Sequence, residues 1–149
     1  MMELASTRSR TRPPALASAE DRIDAPVASK LVLLVDDYED TRALYAVHLE
    51  EAGFRVVEAA DGAEAVHLAS AQPVDAIIMD LSMPRMDGWD ATRQIRAAIG
   101  DRPVYVIALS ALDGDESRAL AFDAGCDDFI AKPFLPAGLI AVLRAHFKK

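Results

Sequence analysis

The chain is short of cysteine, of basic residues and of long apolar runs, and each shortage excludes a class of protein. Cys126 is the only cysteine among 149 residues, so no disulfide can form within the chain, and a reduced, cytoplasmic setting is expected. No apolar stretch approaches the roughly 20 residues that cross a bilayer, so no membrane partner is expected. The 16 Lys and Arg residues against 24 Asp and Glu residues leave a net charge of −8. This balance argues against direct nucleic-acid binding, which needs clustered basic side chains.

The acidic excess lies entirely after residue 29. Residues 1–29 hold four Arg and four acidic residues and are rich in Ala, Ser and Pro, with no sustained apolar period. We expect this segment to be a disordered N-terminal tail. Residues 30–149 have the length of one domain, and the 52% hydrophobic content of the chain is ample for a single core.

From Lys30 onward, short apolar segments alternate with helical ones. The predicted strands are Leu31–Asp36, Phe54–Glu58, Ala76–Met79, Val104–Leu109 and Asp128–Ala131, each followed by a predicted helix. The first helix, at about residues 38–52, is expected to bury a face that includes Leu44 and Leu49. Five βα units in sequence predict an α/β fold, with a parallel sheet covered on both faces. The compact arrangement is a flavodoxin-like (βα)5 three-layer sandwich with strand order 2-1-3-4-5.

Two neighbouring strands of this sheet end in carboxylates. Asp36 and Asp37 close the first strand, and Asp80 follows the third, which lies beside it in the predicted order. In an open α/β sheet the ligand site lies at the carboxyl ends of the strands, so three carboxylates are expected in one crevice. Their mutual repulsion would push at least one of them to protonate. A bound divalent cation removes that penalty, and oxygen ligands of this kind suit Mg²⁺.

Two further strands end in groups that suit phosphoryl transfer. Ser110 follows the fourth strand and Lys132 follows the fifth. Three carboxylates, a hydroxyl and an ammonium fit transfer of a phosphoryl group to a carboxylate, a reaction in which the protein mainly positions groups and stabilises charge. Asp80 is the expected nucleophile, since carboxylates can form aspartyl phosphates. The Lys132 ammonium and the Ser110 hydroxyl would contact the phosphoryl oxygens.

Four segments at this edge of the predicted sheet carry a family resemblance. They are VDD at the end of the first strand, MDLSMPRMDG after the third, ALSA after the fourth and AGCDDFIAKPF into the fifth. With these segments in order, residues 30–149 resemble a response-regulator receiver domain of two-component signalling. The resemblance implies that Asp80 accepts a phosphoryl group from a phosphorylated kinase histidine. It also implies that Asp37, Asp80 and the backbone carbonyl of Ser82 bind Mg²⁺ directly, with Asp36 acting mainly through water.

The same resemblance implies a conformational switch. Ser110 would swing toward the phosphate, with Phe129 as the coupled aromatic, and so bias the surface made by the fourth helix, fifth strand and fifth helix. Lys132 would contact the phosphoryl group, with Pro133 after a cis peptide bond. Ser110 stands where the family more often has Thr, and Phe129 stands where Tyr is common. Leu112 offers no polar group to orient water, so slow to moderate self-dephosphorylation is expected.

The favoured function is a phosphorylation-controlled signalling switch rather than an enzyme acting on a separate substrate. Its partners would be a sensor histidine kinase or a histidine phosphotransfer protein, together with an unknown downstream protein target. Since the sequence stops directly after the last predicted helix, we expect a stand-alone receiver, either a monomer or a weak phosphorylation-dependent dimer. The alternative is a phosphorelay intermediate that passes the group on to a histidine phosphotransfer protein. The resemblance also implies docking near Arg42 and Tyr45 of the first helix and at Pro133 and Phe134.

Three other functions fit the residues less well. A phosphatase of the haloacid dehalogenase type needs a second Asp two positions after its nucleophile, where this chain has Ser82. A flavodoxin-like mononucleotide binder needs a phosphate-cradling loop after the first strand, where the acidic residues Asp37, Glu39 and Asp40 would repel phosphate. A degenerate, phosphorylation-independent interaction domain is disfavoured because every residue of the acceptor site is present.

Overall fold

A computed structural model describes residues 30–81, 88–111 and 114–148 of the chain. Strands and helices alternate in the order β1 Leu31–Val35, α1 Glu39–Glu51, β2 Arg55–Ala59, α2 Gly62–Ala71, β3 Ala76–Asp80, α3 Gly88–Ile99, β4 Tyr105–Ser110, α4 Asp115–Ala124, β5 Asp128–Ala131 and α5 Pro136–Phe147. The strands form one parallel sheet in the order β2-β1-β3-β4-β5. The predicted fold class and strand order are therefore confirmed.

The three central strands are buried along their whole length. Every residue of β1, β3 and β4 is buried, because each strand has a neighbour on both sides and helices above and below. Alternate side chains of β1 enter two separate cores: Leu33 and Val35 face one layer of helices, while Val32 and Leu34 face the other. The edge strand β2 is only partly buried, which suits its mixed sequence RVVEA.

Local sequence signals set the helix ends. The Asp61 side chain accepts a hydrogen bond from the Glu64 backbone N–H at 2.8 Å, and the Glu64 side chain accepts one from the Ala60 N–H at 2.8 Å. This reciprocal capping begins α2. At the end of α4, Gly125 has a φ of 115°, a left-handed conformation that glycine adopts without steric strain.

The packing of α1 differs from the prediction at one residue. Leu44 was expected on the buried face, but it is 52% exposed, whereas Ala46 and Leu49 are buried. The cause is the run of Leu44, Tyr45, Ala46 and Val47, which is apolar on nearly every side of the helix, so its spacing does not select one face. In the described ranges, no helix is both long enough and apolar enough to cross a membrane.

Candidate functional site

The register between β1 and β3 aligns two acidic strand ends. Val35 pairs with Met79, so Asp36 and Asp80 are the next residues along adjacent strands. Both side chains are almost completely enclosed, at 2% exposure for Asp36 and 3% for Asp80. Asp37 lies one residue further along the chain and is exposed. The fold thus places two buried carboxylates beside one solvent-facing carboxylate.

The register on the other side of β3 adds the hydroxyl and the ammonium. Asp80 pairs with Leu109 of β4, and Ser110 follows directly. Ser110 pairs with Ala131 of β5, so Lys132 comes next at the same edge. The Lys132 backbone N–H donates to the Ser110 carbonyl oxygen at 2.7 Å, which extends the ladder by one step. The carboxyl edge of the sheet therefore brings together the residue types that the sequence predicted there.

The three carboxylates are close enough to share one ion. Asp36, Asp37 and Asp80 each offer an oxygen, and these oxygens lie within 4.8 Å of one another. One Asp36 oxygen accepts a hydrogen bond from the Tyr38 backbone N–H at 2.9 Å, but the other is buried and has no hydrogen-bond partner among the residues that the structure describes. A buried carboxylate oxygen without a donor is costly unless a cation meets it. An all-oxygen donor set with a buried, unsatisfied member fits a hard divalent cation such as Mg²⁺.

The electrostatics of Asp36 agree with this fit. Burial is the largest cause that raises the pKa of the Asp36 carboxyl above its ordinary value. The negative charges of Asp80 and Asp37 raise the pKa further, while the Tyr38 hydrogen bond and the Lys132 charge lower it. The ionised form of Asp36 is therefore disfavoured in the protein alone, which is the situation that a bound cation relieves.

Lys132 is the cation that faces Asp80. Its Nζ lies 3.4 Å from Asp80 Oδ2, and the Asp80 side chain is far more enclosed than that of Lys132. The peptide bond between Lys132 and Pro133 is cis, as the resemblance implied. A charge pair at this distance with one buried partner is screened only partly by water. The ammonium is thus held where it can meet oxygens attached to Asp80.

Ser110 and Phe129 occupy buried positions on neighbouring strands. Ser110 ends β4, Phe129 lies in β5, and Phe129 belongs to the same core as Leu33 and Val35. Above the Phe129 ring lies the Arg118 guanidinium of α4, 4.8 Å from the ring centroid. This distance is within the range of a cation–π contact. The aromatic that the sequence singled out is therefore inward-facing and touches the fourth helix.

Two predicted contributors fall outside the described residues. Ser82, whose carbonyl was assigned to the metal, and Leu112, which was expected to influence water attack, lie at positions that the structure does not describe. Gly88 is the next described residue after Leu81. Its N–H donates to the Leu81 carbonyl oxygen at 3.3 Å. This bond keeps the start of α3 against the end of β3.

Sequence reasoning missed how two residues contact the site from outside, one of which, Arg42, was expected only as part of a docking surface. Arg42 of α1 donates to the backbone carbonyl oxygen of Asp36 at 2.7 Å, and Gly88 packs directly on the backbone of Asp80 and Leu81. The glycine could have been suspected from its place at the end of the MDLSMPRMDG segment. The Arg42 contact had no such signal, because it joins a helix to a strand end and depends on where the side chain turns.

Comparisons with known proteins agree with this arrangement. The sequence model of the response regulator receiver domain matches residues 32–144. The transcriptional regulatory protein PrrA of Mycobacterium tuberculosis is 39% identical over 127 residues, which cover 85% of this chain and 54% of that protein. Response regulator MprA of Mycolicibacterium vanbaalenii is 37% identical over 118 residues, which cover 79% of this chain and 50% of that protein. The chain therefore spans about half the length of the curated relatives it matches.

Solved structures share the fold over nearly their whole length. The receiver domain of a sensor histidine kinase from Pseudomonas aeruginosa, with a magnesium ion coordinated in its active-site cleft, is 40% identical with a TM-score of 0.72, covering 81% of this chain and 99% of that chain. Chemotaxis protein CheY4 of Vibrio cholerae is 30% identical with a TM-score of 0.74, covering 78% of this chain and 97% of that chain. Since the family model matches residues 32–144, which make up most of the chain, the chain belongs to the response regulator receiver domain family.

Proposed function

We propose that this receiver domain accepts a phosphoryl group on Asp80 from a phosphohistidine, with Mg²⁺ as cofactor, and that the modification changes the protein partner it binds. The observation that carries the proposal is the convergence of three carboxylates within 4.8 Å, with the Lys132 ammonium 3.4 Å from Asp80. Transfer to a carboxylate needs a nucleophilic oxygen and positive charge to stabilise the moving phosphoryl oxygens, and this edge of the sheet offers both.

The reaction is a displacement at phosphorus. An Asp80 carboxylate oxygen attacks, a P–O bond forms, and the P–N bond to the donor imidazole breaks. With the other ring nitrogen of the donor protonated, the leaving nitrogen keeps the electron pair and the donor histidine departs as neutral imidazole. Mg²⁺, when bound, neutralises the acidic residues and the phosphoryl oxygens. The ligands proposed for it are Asp37, Asp80 and the Ser82 carbonyl, with Asp36 acting mainly through water.

Lys132 and Ser110 serve the phosphorylated state. The Lys132 ammonium is already directed at Asp80, so it can pair with a phosphoryl oxygen without a large movement. The Ser110 hydroxyl can donate a hydrogen bond to another of these oxygens. Its movement toward the phosphate, together with Phe129, would alter the surface formed by α4, β5 and α5. The Arg118 contact ties Phe129 to α4, which supports this route.

The proposed donor docks beside the site. The Tyr45 ring of α1 stacks on the Phe134 ring, with centroids 5.5 Å apart, so the two segments expected to dock share one surface. Tyr38 and Leu135 are exposed large apolar residues close in sequence to Asp37 and Phe134. Exposed apolar side chains near a site suit a protein partner. A sensor histidine kinase or a histidine phosphotransfer protein would bind here, and the net charge of −8 disfavours direct nucleic-acid binding.

A relay role is the second candidate. The similar Pseudomonas aeruginosa receiver is part of a sensor histidine kinase rather than of a transcriptional regulator. A relay intermediate would pass the phosphoryl group from Asp80 back to a histidine, by the same displacement in reverse. Rapid loss of the group to an added histidine phosphotransfer protein would favour the relay, whereas retention would favour the switch.

The central test uses acetyl phosphate and Mg²⁺ with intact-mass measurement. The wild-type chain should gain the mass of one phosphoryl group, and Asp80→Asn should gain none. Asp90→Asn is the matched control, because Asp90 is an exposed acid of α3 paired with Arg93 on the helix surface. Omission of Mg²⁺ should abolish the mass gain. Equal labelling of wild type and Asp80→Asn would refute the proposal.

A further inference from the structure

Arg42 lies on the first turn of α1, but its side chain turns back toward the sheet. Its backbone N–H donates to the Tyr38 carbonyl oxygen at 3.0 Å as part of the helix start. The side chain is only 15% exposed, which is low for an arginine on an outer helix. A residue of this type is enclosed when its guanidinium has fixed partners.

The guanidinium joins the ends of two strands. Nη1 donates to the Asp36 carbonyl oxygen at 2.7 Å, and Nε pairs with Glu58 Oε1 of β2 at 3.0 Å. The Asp36 carbonyl belongs to the peptide unit that connects Asp36 to Asp37. The orientation of that unit sets the direction in which both carboxylates leave the backbone.

Other contacts hold the Asp36 N–H and side chain, whereas Arg42 holds its carbonyl oxygen. The Asp36 N–H donates to the Ala59 carbonyl oxygen at 3.2 Å, and its side chain accepts from the Tyr38 N–H at 2.9 Å. The Tyr38 contact closes a turn around the peptide unit between Asp36 and Asp37, but neither contact restrains the Asp36 carbonyl oxygen by a hydrogen bond. The charge-assisted hydrogen bond from Arg42 supplies this restraint, and its planar fork allows Glu58 to fix the donor at the same time.

We propose that Arg42 is a positioning residue for the divalent cation: it fixes the peptide unit between Asp36 and Asp37 and so sets the geometry of two acidic ligands. This inference rests on the proposed function, because it assigns Arg42 to the same Mg²⁺ site. Arg42 of α1 and Glu58 of β2 would form a second layer of contacts behind the Asp36 and Asp37 carboxylates. Partners of this kind, which orient metal ligands without touching the metal, commonly influence metal affinity as strongly as a weak ligand does.

Charge and geometry predict opposite effects for loss of this residue. Arg42 carries a positive charge next to Asp36, so its removal should strengthen Mg²⁺ binding if Coulomb repulsion dominates. Glu58 compensates most of that charge at 3.0 Å, which reduces the repulsion. Loss of the hydrogen bond frees the peptide unit and should weaken binding. The direction of the change therefore separates the two accounts.

The experiment measures Mg²⁺ affinity by titration calorimetry on the full chain, alongside thermal unfolding without metal. Arg42→Ala should weaken Mg²⁺ binding about tenfold, the lower end of the effect of losing such a partner. Arg42→Lys retains one donor and the charge but cannot span Asp36 and Glu58 together, so it should weaken binding less. Arg93→Ala, which removes an exposed arginine and its ion pair with Asp90, should leave the affinity unchanged.

Unchanged or tighter Mg²⁺ binding by folded Arg42→Ala would overturn the inference, even if its unfolding temperature fell. If Arg42→Ala does not fold, Arg42→Lys decides: affinity equal to wild type overturns the inference, and a loss of a few-fold supports it. Absence of Mg²⁺ binding by wild type would instead remove the proposed function and this inference with it. Failure of the two proposals is thus distinguished by which protein loses binding.

Discussion

Gly88 should be difficult to replace, because its missing side chain leaves room for the backbone of the acceptor strand. A Cβ added at Gly88 would meet the Asp80 carbonyl oxygen and lie 2.6 Å from Leu81 Cα. Both contacts are with backbone atoms, so no side-chain rotation can relieve them. The Gly88 carbonyl oxygen also accepts a hydrogen bond from the Thr92 hydroxyl at 2.7 Å, which holds the glycine in place.

The expected change in unfolding free energy for Gly88→Ala follows from two opposing effects. Alanine favours a helix over glycine by up to about 1 kcal/mol, whereas overpacking of a closely packed site costs about 1–3 kcal/mol. Because the clash is with backbone atoms, we take the upper end of the overpacking cost. After the helix preference of alanine is subtracted, Gly88→Ala should lose about 2 kcal/mol of unfolding free energy. Gly138 of α5 is the matched control, since a Cβ there meets no atom within 4 Å. Gly138→Ala should gain about 0.5–1 kcal/mol.

Urea denaturation followed by circular dichroism measures both effects. With a denaturant slope of about 2 kcal/mol per molar, Gly88→Ala should lower the midpoint by about 1 M, and Gly138→Ala should raise it slightly. Because the clash involves the Asp80 backbone, Gly88→Ala should also slow labelling by acetyl phosphate. A Gly88→Ala protein as stable as wild type, and labelled at the same rate, would refute the packing argument.

Three further predictions concern the acidic site, the single thiol and the lifetime of the phosphorylated form. Asp36→Asn should raise the unfolding temperature of the metal-free protein at neutral pH, because a carboxyl whose pKa is raised by burial destabilises the fold when ionised. Mg²⁺ at a hundred times its dissociation constant should stabilise wild type by about 2.7 kcal/mol. Calorimetry should show that the same Mg²⁺ concentration stabilises the variant less. Burial raises the pKa of the Cys126 thiol to about 11. At pH 8 a thiol reagent should therefore find about a hundredfold less thiolate than in a thiol of pKa 9. Labelling of the folded protein as fast as labelling in urea would contradict this prediction. Leu112→Glu should change the half-life of the acyl phosphate, measured by decay of the added mass, and an unaltered half-life would refute the role expected for Leu112.

The predicted bounds of helices and strands are most accurate where a glycine or a proline lies at the end of an element. The sequence predicts helices at residues 115–124 and at about residues 136–147, with a strand at residues 128–131 between them, and α4, β5 and α5 agree with these bounds at both ends. Gly125 stops α4 in a left-handed conformation, and Pro136 begins α5, so each boundary has a local steric cause that can be read from residue type. The strand ends at the site were predictable for a similar reason, since an apolar run that stops at an acid marks the edge of the sheet.

Side-chain contacts from one element to another could not be predicted, because they depend on the direction in which the side chain turns. Arg96 of α3 illustrates this: its guanidinium donates to the carbonyl oxygens of Gly125 and Val104 and pairs with Asp127 at 2.8 Å. In sequence it resembles Arg93, whose side chain only pairs with Asp90 on the helix surface. The difference is one of helix face relative to β5, and neither residue type nor spacing encodes it.

The charges of the site suggest why phosphorylation of Asp80 should change the structure near β5 and α4. Among the described residues of the site, the three carboxylates and the Lys132 ammonium leave two negative charges in excess when all are ionised, and a divalent cation can balance these charges. Phosphorylation replaces the single charge of Asp80 by about −1.5 to −2 on the phosphoryl group, so negative charge again exceeds positive charge. Further donors must then approach, and the Ser110 hydroxyl ends the strand next to β3. In the proposed switch, movement of Ser110 would leave space beside β5, where Phe129 packs and contacts Arg118 of α4. The imbalance thus gives a physical reason why the proposed switch would run from Asp80 toward α4.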